Sequence, residues 1–234
     1  MKRPALTLAQ ASRRDALKFL GGAIALAGCG SAFSIAKDGG TVCEASSDET
    51  LGPYPDKTGM LTNPTYQRAD ITEGKAGLKL NVVLTIVDSK NACAPVAGSQ
   101  VIIWQCDAEG HYSEYPGQPG GYDGTGATYL RGVQTADANG QLNFTTVYPG
   151  WYAGRATHIH VQVFVAGVSK KVTQLAFSES VTSQVYATGV YAAKGANPQN
   201  NATDTVFGDS LQEELASLTG DTVSGYVATL TVGI

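Results

Sequence analysis

The sequence predicts an all-β protein, a single β-sandwich with long loops and one or two short helices. Several short segments place apolar residues at every second position, which is typical of strands with one buried face. Clusters of Gly, Asn and Asp separate these segments and favour turns. Because a helical pattern is almost absent, two packed sheets or a barrel are favoured over a mixed α/β fold.

The first 36 residues are predicted to be an export signal, and residues 37–234 to form one β-sandwich domain. Arg13-Arg14 precedes a short apolar run, Gly21–Gly28, and small residues follow it. The arginine pair is typical of a twin-arginine signal, which exports folded proteins. The apolar run is too short and too rich in glycine to span a bilayer. The remaining chain is long enough for one domain with a proper core.

The end of this signal leaves two processing routes open. Leu26-Ala27-Gly28-Cys29 resembles a bacterial lipobox, in which Cys29 becomes the first residue and carries a lipid anchor. Ordinary cleavage after Ala36 is the alternative. Both routes predict a protein exported to the periplasm or the cell surface, anchored to the membrane as a lipoprotein in the first case.

Charge and cysteine content narrow the class of protein. Removing residues 1–29 takes away five basic residues and one acidic residue, which moves the net charge from −4 to −8. No basic patch is present, so nucleic acid is not expected as a partner. Cys43, Cys93 and Cys106 remain, and one disulfide is expected in an oxidising compartment. Cys93 and Cys106 flank one strand and lie too far apart to bridge, so Cys43 is expected to pair with one of them.

The first half of the domain is predicted to contain an arm, two strands and a long loop. Thr41–Arg68 is an extended arm, because its proline-containing turns disfavour helix. Leu78–Ile86 and Val101–Trp104 are strands, with a turn at Asp88–Asn91 between them. Residues 114–127 hold five glycines and two prolines, and a loop of this length in a compact domain is usually functional.

The second half is predicted to begin with a hairpin. Tyr129–Thr135 and Gln141–Val147 flank the turn-forming residues Asp137–Gly140, which favours a β-hairpin. The further elements expected are strands over residues 158–165, Lys171–Phe177 and Tyr226–Val232, one or two helical turns at Ser180–Tyr186, and a short helix at Ser210–Leu218.

Two of the three histidines lie in one predicted strand. Side chains alternate along a strand, so His158 and His160 project to the same face. Ile159, Val161 and Val163 occupy the opposite, apolar face. Two imidazoles in this arrangement suit Zn, Cu, Fe or Ni. A His-x-His pair alone is commonly incidental, so further ligands decide whether a metal site exists.

Further residues complete a recognisable set. A Gly-x-Tyr ends at Tyr112, a Pro-x-x-Tyr ends at Tyr152, an Arg-x-x-His-x-His runs from Arg155 to His160, and Gln174 follows. In this order the set resembles the intradiol ring-cleavage dioxygenases, which bind a non-haem ferric ion. Gly52-Pro53-Tyr54 also resembles the Gly-Pro-Tyr stretch that lies near the substrate in that family. The resemblance covers nearly the whole predicted domain.

The resemblance implies an oxidoreductase of aromatic compound catabolism with Fe(3+) as its cofactor. Such an enzyme cleaves catechol-type diols with O2 between the two hydroxyl-bearing carbons and gives cis,cis-muconate-type products. Tyr152 would leave the metal and take a substrate proton, Arg155 would stabilise negative charge on the substrate, and Gln174 would orient by hydrogen bonding. The implied metal ligands are Tyr112, Tyr152, His158 and His160. The implied substrate contacts are Gly52, Pro53 and Tyr54.

Elementary chemistry agrees with a ferric site. Phenolate oxygen is a hard anionic ligand, and a bound metal lowers a tyrosine pKa from about 10 so that the side chain binds as tyrosinate. Ferrous oxygenases commonly use two histidines and one carboxylate, and no acidic residue lies near the histidine pair in the sequence.

Two other functions compete with this interpretation. An exported β-sandwich of transthyretin-like (prealbumin-like) topology, which is the topology expected here, also serves as a non-catalytic binding module, since fold alone does not fix function. A copper or zinc protein using only His158 and His160 would leave Tyr112 and Tyr152 without a role. The sequence does not identify the ring substituent of the substrate, nor whether the protein is a homo-oligomer. It also leaves open whether the Gly52–Tyr54 arm acts in its own chain or in a neighbouring chain.

Overall fold

A computed structural model of the chain describes residues 34–35 and 41–234. The predicted export signal and Cys29 therefore lie outside the described residues. The described part is mostly strand, arranged in two sheets that pack face to face, with few and short helices, so the predicted all-β sandwich is confirmed. None of the helices in this part has the length and apolar composition needed to cross a membrane.

The first sheet is built on one long strand, β3 (Lys79–Asp88). It pairs antiparallel with β4 (Ala94–Pro95) and β7 (Gln141–Val147), and parallel with β11 (Gly225–Gly233). On its other edge β11 pairs antiparallel with β10 (Ser217–Asp221). Every second residue of β3 is fully buried, as its alternating sequence predicts. These residues are Leu80, Val82, Leu84 and Ile86.

The second sheet carries the histidine strand in its interior. Its antiparallel order is β6 (Arg131–Thr135), β5 (Gln100–Trp104), β8 (His158–Val165) and β9 (Val168–Ala176). The apolar face of β8 packs into the core between the sheets. The face that carries the histidines is buried too, because the arm before β3 and the loop after β5 cover it with a second apolar cluster.

The prediction of a β-hairpin around Asp137–Gly140 is wrong. The turn forms, since Asp137 Oδ1 accepts hydrogen bonds from the backbone N–H groups of Asn139 and Gln141, each at 2.8 Å. The strands that it joins belong to different sheets, because β6 pairs with β5 and β7 pairs with β3. Turn chemistry reverses the chain locally, whereas burial of both apolar faces in one core decides the pairing.

The helical segments differ from the prediction in extent. Helix α1 (Glu179–Tyr186) forms where helical turns are expected, but α2 spans only Leu211–Glu214, because Ser217 already begins β10. The arm contains one 3-10 turn, in which proline fits the first position. The 3-10 turns are Pro64–Tyr66, Pro119–Gly121 and Gly189–Tyr191, and a two-residue pair, β1 (Ser34–Ile35) with β2 (Thr41–Val42), precedes the arm.

One disulfide joins the arm to the turn after β3. Cys43 pairs with Cys93, with a Cα–Cα distance of 5.7 Å, and Cys106 is a buried free thiol. The prediction that Cys43 takes part is confirmed, and Cys93 is its partner.

Candidate active site

The two strand histidines point their Nε2 atoms at each other. The Nε2 atoms of His158 and His160 lie 3.1 Å apart, and both side chains are almost fully buried. His158 Nδ1 lies 2.6 Å from the carbonyl oxygen of Ala156, so Nδ1 carries the proton and donates it to that oxygen. The Nε2 atom of His158 therefore carries a lone pair, which can accept a hydrogen bond or bind a cation.

The two predicted tyrosine ligands meet this pair. Tyr152 Oη lies 3.1 Å from His158 Nε2. Tyr112 is fully buried, its ring centroid lies 5.7 Å from that of Tyr152 and 6.3 Å from that of His160, and its hydroxyl has no hydrogen-bond partner among the described residues. The end of the loop after β5 and the turn before β8 thus bring all four predicted ligands together.

Burial sets the protonation of these groups. It lowers the pKa of His158 to about 3, with the positive charge of Arg155 adding to the effect. Burial and the neighbouring His158 lower the pKa of His160 well below its ordinary value. Burial raises the pKa of Tyr152 to about 12 and that of Tyr112 well above 10. Near neutral pH the site therefore offers two neutral imidazoles, and the phenols ionise only if a cation offsets the burial.

The predicted substrate arm lies over the site within the same chain. Gly52 has φ +71°, and a Cβ added there would lie 2.8 Å from His160 Cε1. The Tyr54 ring lies 4.7 Å from that of Tyr112 and 6.3 Å from that of Tyr152, between ring centroids. Pro53, between them, is exposed. The arm thus contacts the histidine and tyrosine side chains of its own chain.

Arg155 and Gln174 form a donor pair beside the histidines. Arg155 Nη2 donates to Gln174 Oε1 at 2.6 Å, and Gln174 lies opposite His160 in the β8–β9 register. Because a guanidinium only donates, it fixes the amide oxygen of Gln174 towards itself. Gln174 Nε2 is buried with no hydrogen-bond partner among the described residues. The pair therefore has an N–H group available for a ligand.

Sequence reasoning missed the residues that support this site. Asp204 is buried against Arg155, Glu214 accepts a hydrogen bond from the backbone of Gln174, and Arg131 is a fully buried cation behind the arm. Asp204 lies in a polar segment that has the composition of a solvent-exposed turn. Asp204 and Val206 form an Asx turn, closed at 2.8 Å, and an aspartate in such a segment indicates a turn rather than a buried ion pair.

Trp104 forms one wall of the site. Its ring is parallel to that of His160 within 3°, with 4.7 Å between centroids, and the side chain is fully buried. The stack therefore limits the rotation of the imidazole.

Fold and site together define an all-β sandwich with a buried centre of two histidines and two tyrosines. A family model described as "Dioxygenase" matches residues 52–194. An intradiol ring-cleavage dioxygenase from Tetranychus urticae is 28% identical, with a TM-score of 0.73 over 82% of this chain and 95% of that one. The dioxygenase domain of a dioxygenase and carbohydrate-binding protein fusion from Streptomyces sp. SirexAA-E is 26% identical, with a TM-score of 0.57 over 82% and 98%.

A curated relative agrees with these structures. The 6-chlorohydroxyquinol 1,2-dioxygenase of Cupriavidus pinatubonensis is 29% identical, over 46% of this chain and 42% of that protein. The chain thus matches less than half the length of this relative. The chain belongs to the intradiol ring-cleavage dioxygenase family, whose members are oxidoreductases.

Proposed function

We propose that the protein is a non-haem Fe(3+) dioxygenase that cleaves a catechol-type aromatic diol between its hydroxyl-bearing carbons, with O2 as the second substrate and a cis,cis-muconate-type product. The observation that carries this proposal is that His158 Nε2 lies 3.1 Å from both Tyr152 Oη and His160 Nε2 in a buried site. Tyr112 lies beside them, and its hydroxyl has no hydrogen-bond partner among the described residues.

The residues present fit a ferric ion. His158 Nε2 and His160 Nε2 face each other at 3.1 Å, and imidazole nitrogen is a ligand that iron accepts. In the described part of the chain no group of three His, Cys, Asp or Glu side chains could hold a metal, so a metal here takes tyrosine ligands. Two phenolates would offset the charge of Fe(3+) in a site where burial otherwise keeps them protonated.

The ferric ion, when bound, would supply the chemistry between the diol and O2. The protein residues would move the proton and stabilise charge. Tyr152, with a pKa near 12 in its buried setting, would hold a proton taken from a substrate hydroxyl once it is no longer a ligand. Arg155 and the free amide N–H of Gln174 would donate to negative charge that develops on the substrate. Tyr54 would limit the entry of water.

The proposal includes the cellular location. The twin-arginine pattern at Arg13-Arg14 supports export to the periplasm or cell surface. Processing at the lipobox Leu26–Cys29 would leave a lipid anchor on Cys29, whereas ordinary cleavage after Ala36 would leave none. The Cys43–Cys93 disulfide supports an oxidising compartment.

The decisive experiment is the visible absorption spectrum of the iron-loaded protein, with and without anaerobic catechol. We expect a tyrosinate-to-iron charge-transfer band that shifts on catechol addition and changes in Tyr112→Phe and Tyr152→Phe. Oxygen uptake with a panel of substituted catechols then defines the substrate. A protein that stays colourless after iron loading would contradict the proposal and favour a non-catalytic binding module.

A further inference from the structure

The segment from Asn197 to Glu214 has no part in the chemistry proposed above, yet it contacts both members of the donor pair. Asp204 is 1% exposed. Its carboxylate accepts hydrogen bonds from Arg155 Nε at 2.9 Å, from the backbone N–H of Ala156 at 2.5 Å and from that of Val206 at 2.8 Å. Asp204 therefore connects Arg155 to the backbone that leads directly into His158.

The contact between Asp204 and Arg155 helps to fix the orientation of the guanidinium group. A guanidinium has five N–H groups in one plane. Arg155 donates a hydrogen bond from Nε to Asp204 and one from Nη2 to Gln174 Oε1. These two acceptors fix the plane of the Arg155 guanidinium. The Phe207 ring lies under it, 5.5 Å from Cζ, so rotation out of the plane is limited as well.

The same segment holds the other member of the pair. Glu214 Oε1 accepts from the backbone N–H of Gln174 and from Thr173 Oγ1, each at 2.9 Å. Ser210 Oγ donates to the second oxygen of Glu214 at 2.8 Å. Arg155 and Gln174 are thus both supported from one segment.

The Asp204 carboxylate is ionised in this setting. Burial alone would raise its pKa, but hydrogen bonds from Ala156 and Val206 and the charge of Arg155 outweigh burial and lower the pKa of Asp204 below its ordinary value. The ion pair with Arg155 is therefore present at neutral pH.

We propose that Asp204 is a positioning residue that acts through Arg155, holding the guanidinium plane so that its remaining N–H groups face the reacting substrate. This inference depends on the proposed function of Arg155. Asp204 does not touch the predicted ligand side chains by hydrogen bond, and it contributes orientation rather than a reacting group.

The first test is a double-mutant cycle on the iron-loaded enzyme. Asp204→Asn keeps the shape but replaces one acceptor oxygen with an NH2 group. We expect kcat to fall by about 10- to 100-fold, with KM changed less than kcat, as for residues that orient an active-site group. Arg155→Lys alone should also lower kcat, and adding Asp204→Asn to it should have little further effect. Additive losses in the double variant would overturn the inference.

The second test detects the Asp204–Arg155 hydrogen bond directly and does not depend on enzyme turnover. In the metal-free protein we expect an exchange-protected Arg155 Nε–H signal in 1H–15N NMR, assigned by its loss in Arg155→Lys and lost in Asp204→Asn. Glu73→Gln is the control, because Glu73 pairs with Arg68 at 2.5 Å outside the site, and it should leave the Arg155 signal and kcat unchanged.

The two tests separate the two proposals. A protected Arg155 signal that persists in Asp204→Asn would overturn the positioning role. If the wild-type protein turns over no diol, the proposed function fails, while the NMR signal still decides whether Asp204 holds Arg155.

Discussion

His160 is confined by its neighbours on several sides. Trp104 stacks on its ring, Gly52 lies against its Cε1 edge, and its Nε2 faces His158. A ligand that must present one lone pair in one direction gains from such confinement, because little reorganisation is then needed on binding. Gly52 is the position where the smallest change of sequence would disturb this arrangement.

Gly52→Ala should therefore impair the centre. The added Cβ would lie 2.8 Å from His160 Cε1, and alanine at φ +71° is also strained. Gly59→Ala is a matched control, since Gly59 has the same φ of +71° but open space around the added Cβ. We expect both variants to lose about 1 kcal/mol of unfolding free energy from the backbone. Only Gly52→Ala should lose turnover, by about tenfold or more, as misplaced active-site groups do.

Steady-state kinetics and chemical denaturation distinguish the two effects. Equal turnover in Gly52→Ala and Gly59→Ala would mean that the contact with His160 has no functional consequence.

At the scale of elements, one buried arginine joins the arm to the strand that supports it. Arg131 in β6 donates to the carbonyl oxygens of Tyr54 and Ser113, at 3.0 and 3.1 Å, and to Ser113 Oγ at 2.9 Å. Glu114, which accepts from Tyr66 and Thr58, lies 3.6 Å from Arg131 Nε and supplies the countercharge. Tyr54 and Tyr112, two of the aromatic residues at the site, are therefore on or next to segments held by Arg131.

Arg131→Lys should loosen the arm while keeping the countercharge paired. An ammonium lacks the planar fork that reaches several carbonyls at once. We expect trypsin to cut more rapidly after the exposed Lys57, by several-fold, and KM for the diol to rise more than kcat falls. Cleavage after Lys90, which is exposed in the turn after β3, is the internal control and should keep its rate. An unchanged rate of cleavage after Lys57 in Arg131→Lys would contradict this role of Arg131.

The elements also show where prediction from sequence succeeds. Strand alternation placed His158 and His160 on one face, because alternation is a local feature. The family resemblance named Tyr112, Tyr152, Arg155 and Gln174, which the structure places around that pair, and their roles as ligands or catalytic groups stay predictions. The hairpin prediction failed because the pairing of β6 and β7 depends on the core rather than on the turn. Asp204 and Arg131 stayed hidden because a buried charge is identified by its partners in space. Arg155 lies 49 residues from Asp204 in sequence, and Tyr54 lies 77 residues from Arg131.

At the scale of the whole molecule, the disulfide ties the arm to the first sheet. Cys43 and Cys93 are 50 residues apart in sequence, and a closed loop of that length reduces the entropy of the unfolded chain. We expect Cys43→Ser, Cys93→Ser and the double variant to lose about 2–4 kcal/mol of unfolding free energy. Denaturation curves with and without reductant measure this loss, and a reductant should not affect the double variant. An unchanged midpoint on reduction would show that the bond does not stabilise the fold.

The position of β11 in the first sheet has a consequence for folding of the chain during synthesis on the ribosome. This strand, Gly225–Gly233, pairs in parallel with β3, which was synthesised more than a hundred residues earlier, and it stands between β3 and β10. Such distant pairing slows folding, because the long intervening segment must be closed first. The nascent chain therefore cannot complete this sheet until residue 233 has emerged, and until then the backbone edge of β3 that pairs with β11 is left without its partner strand.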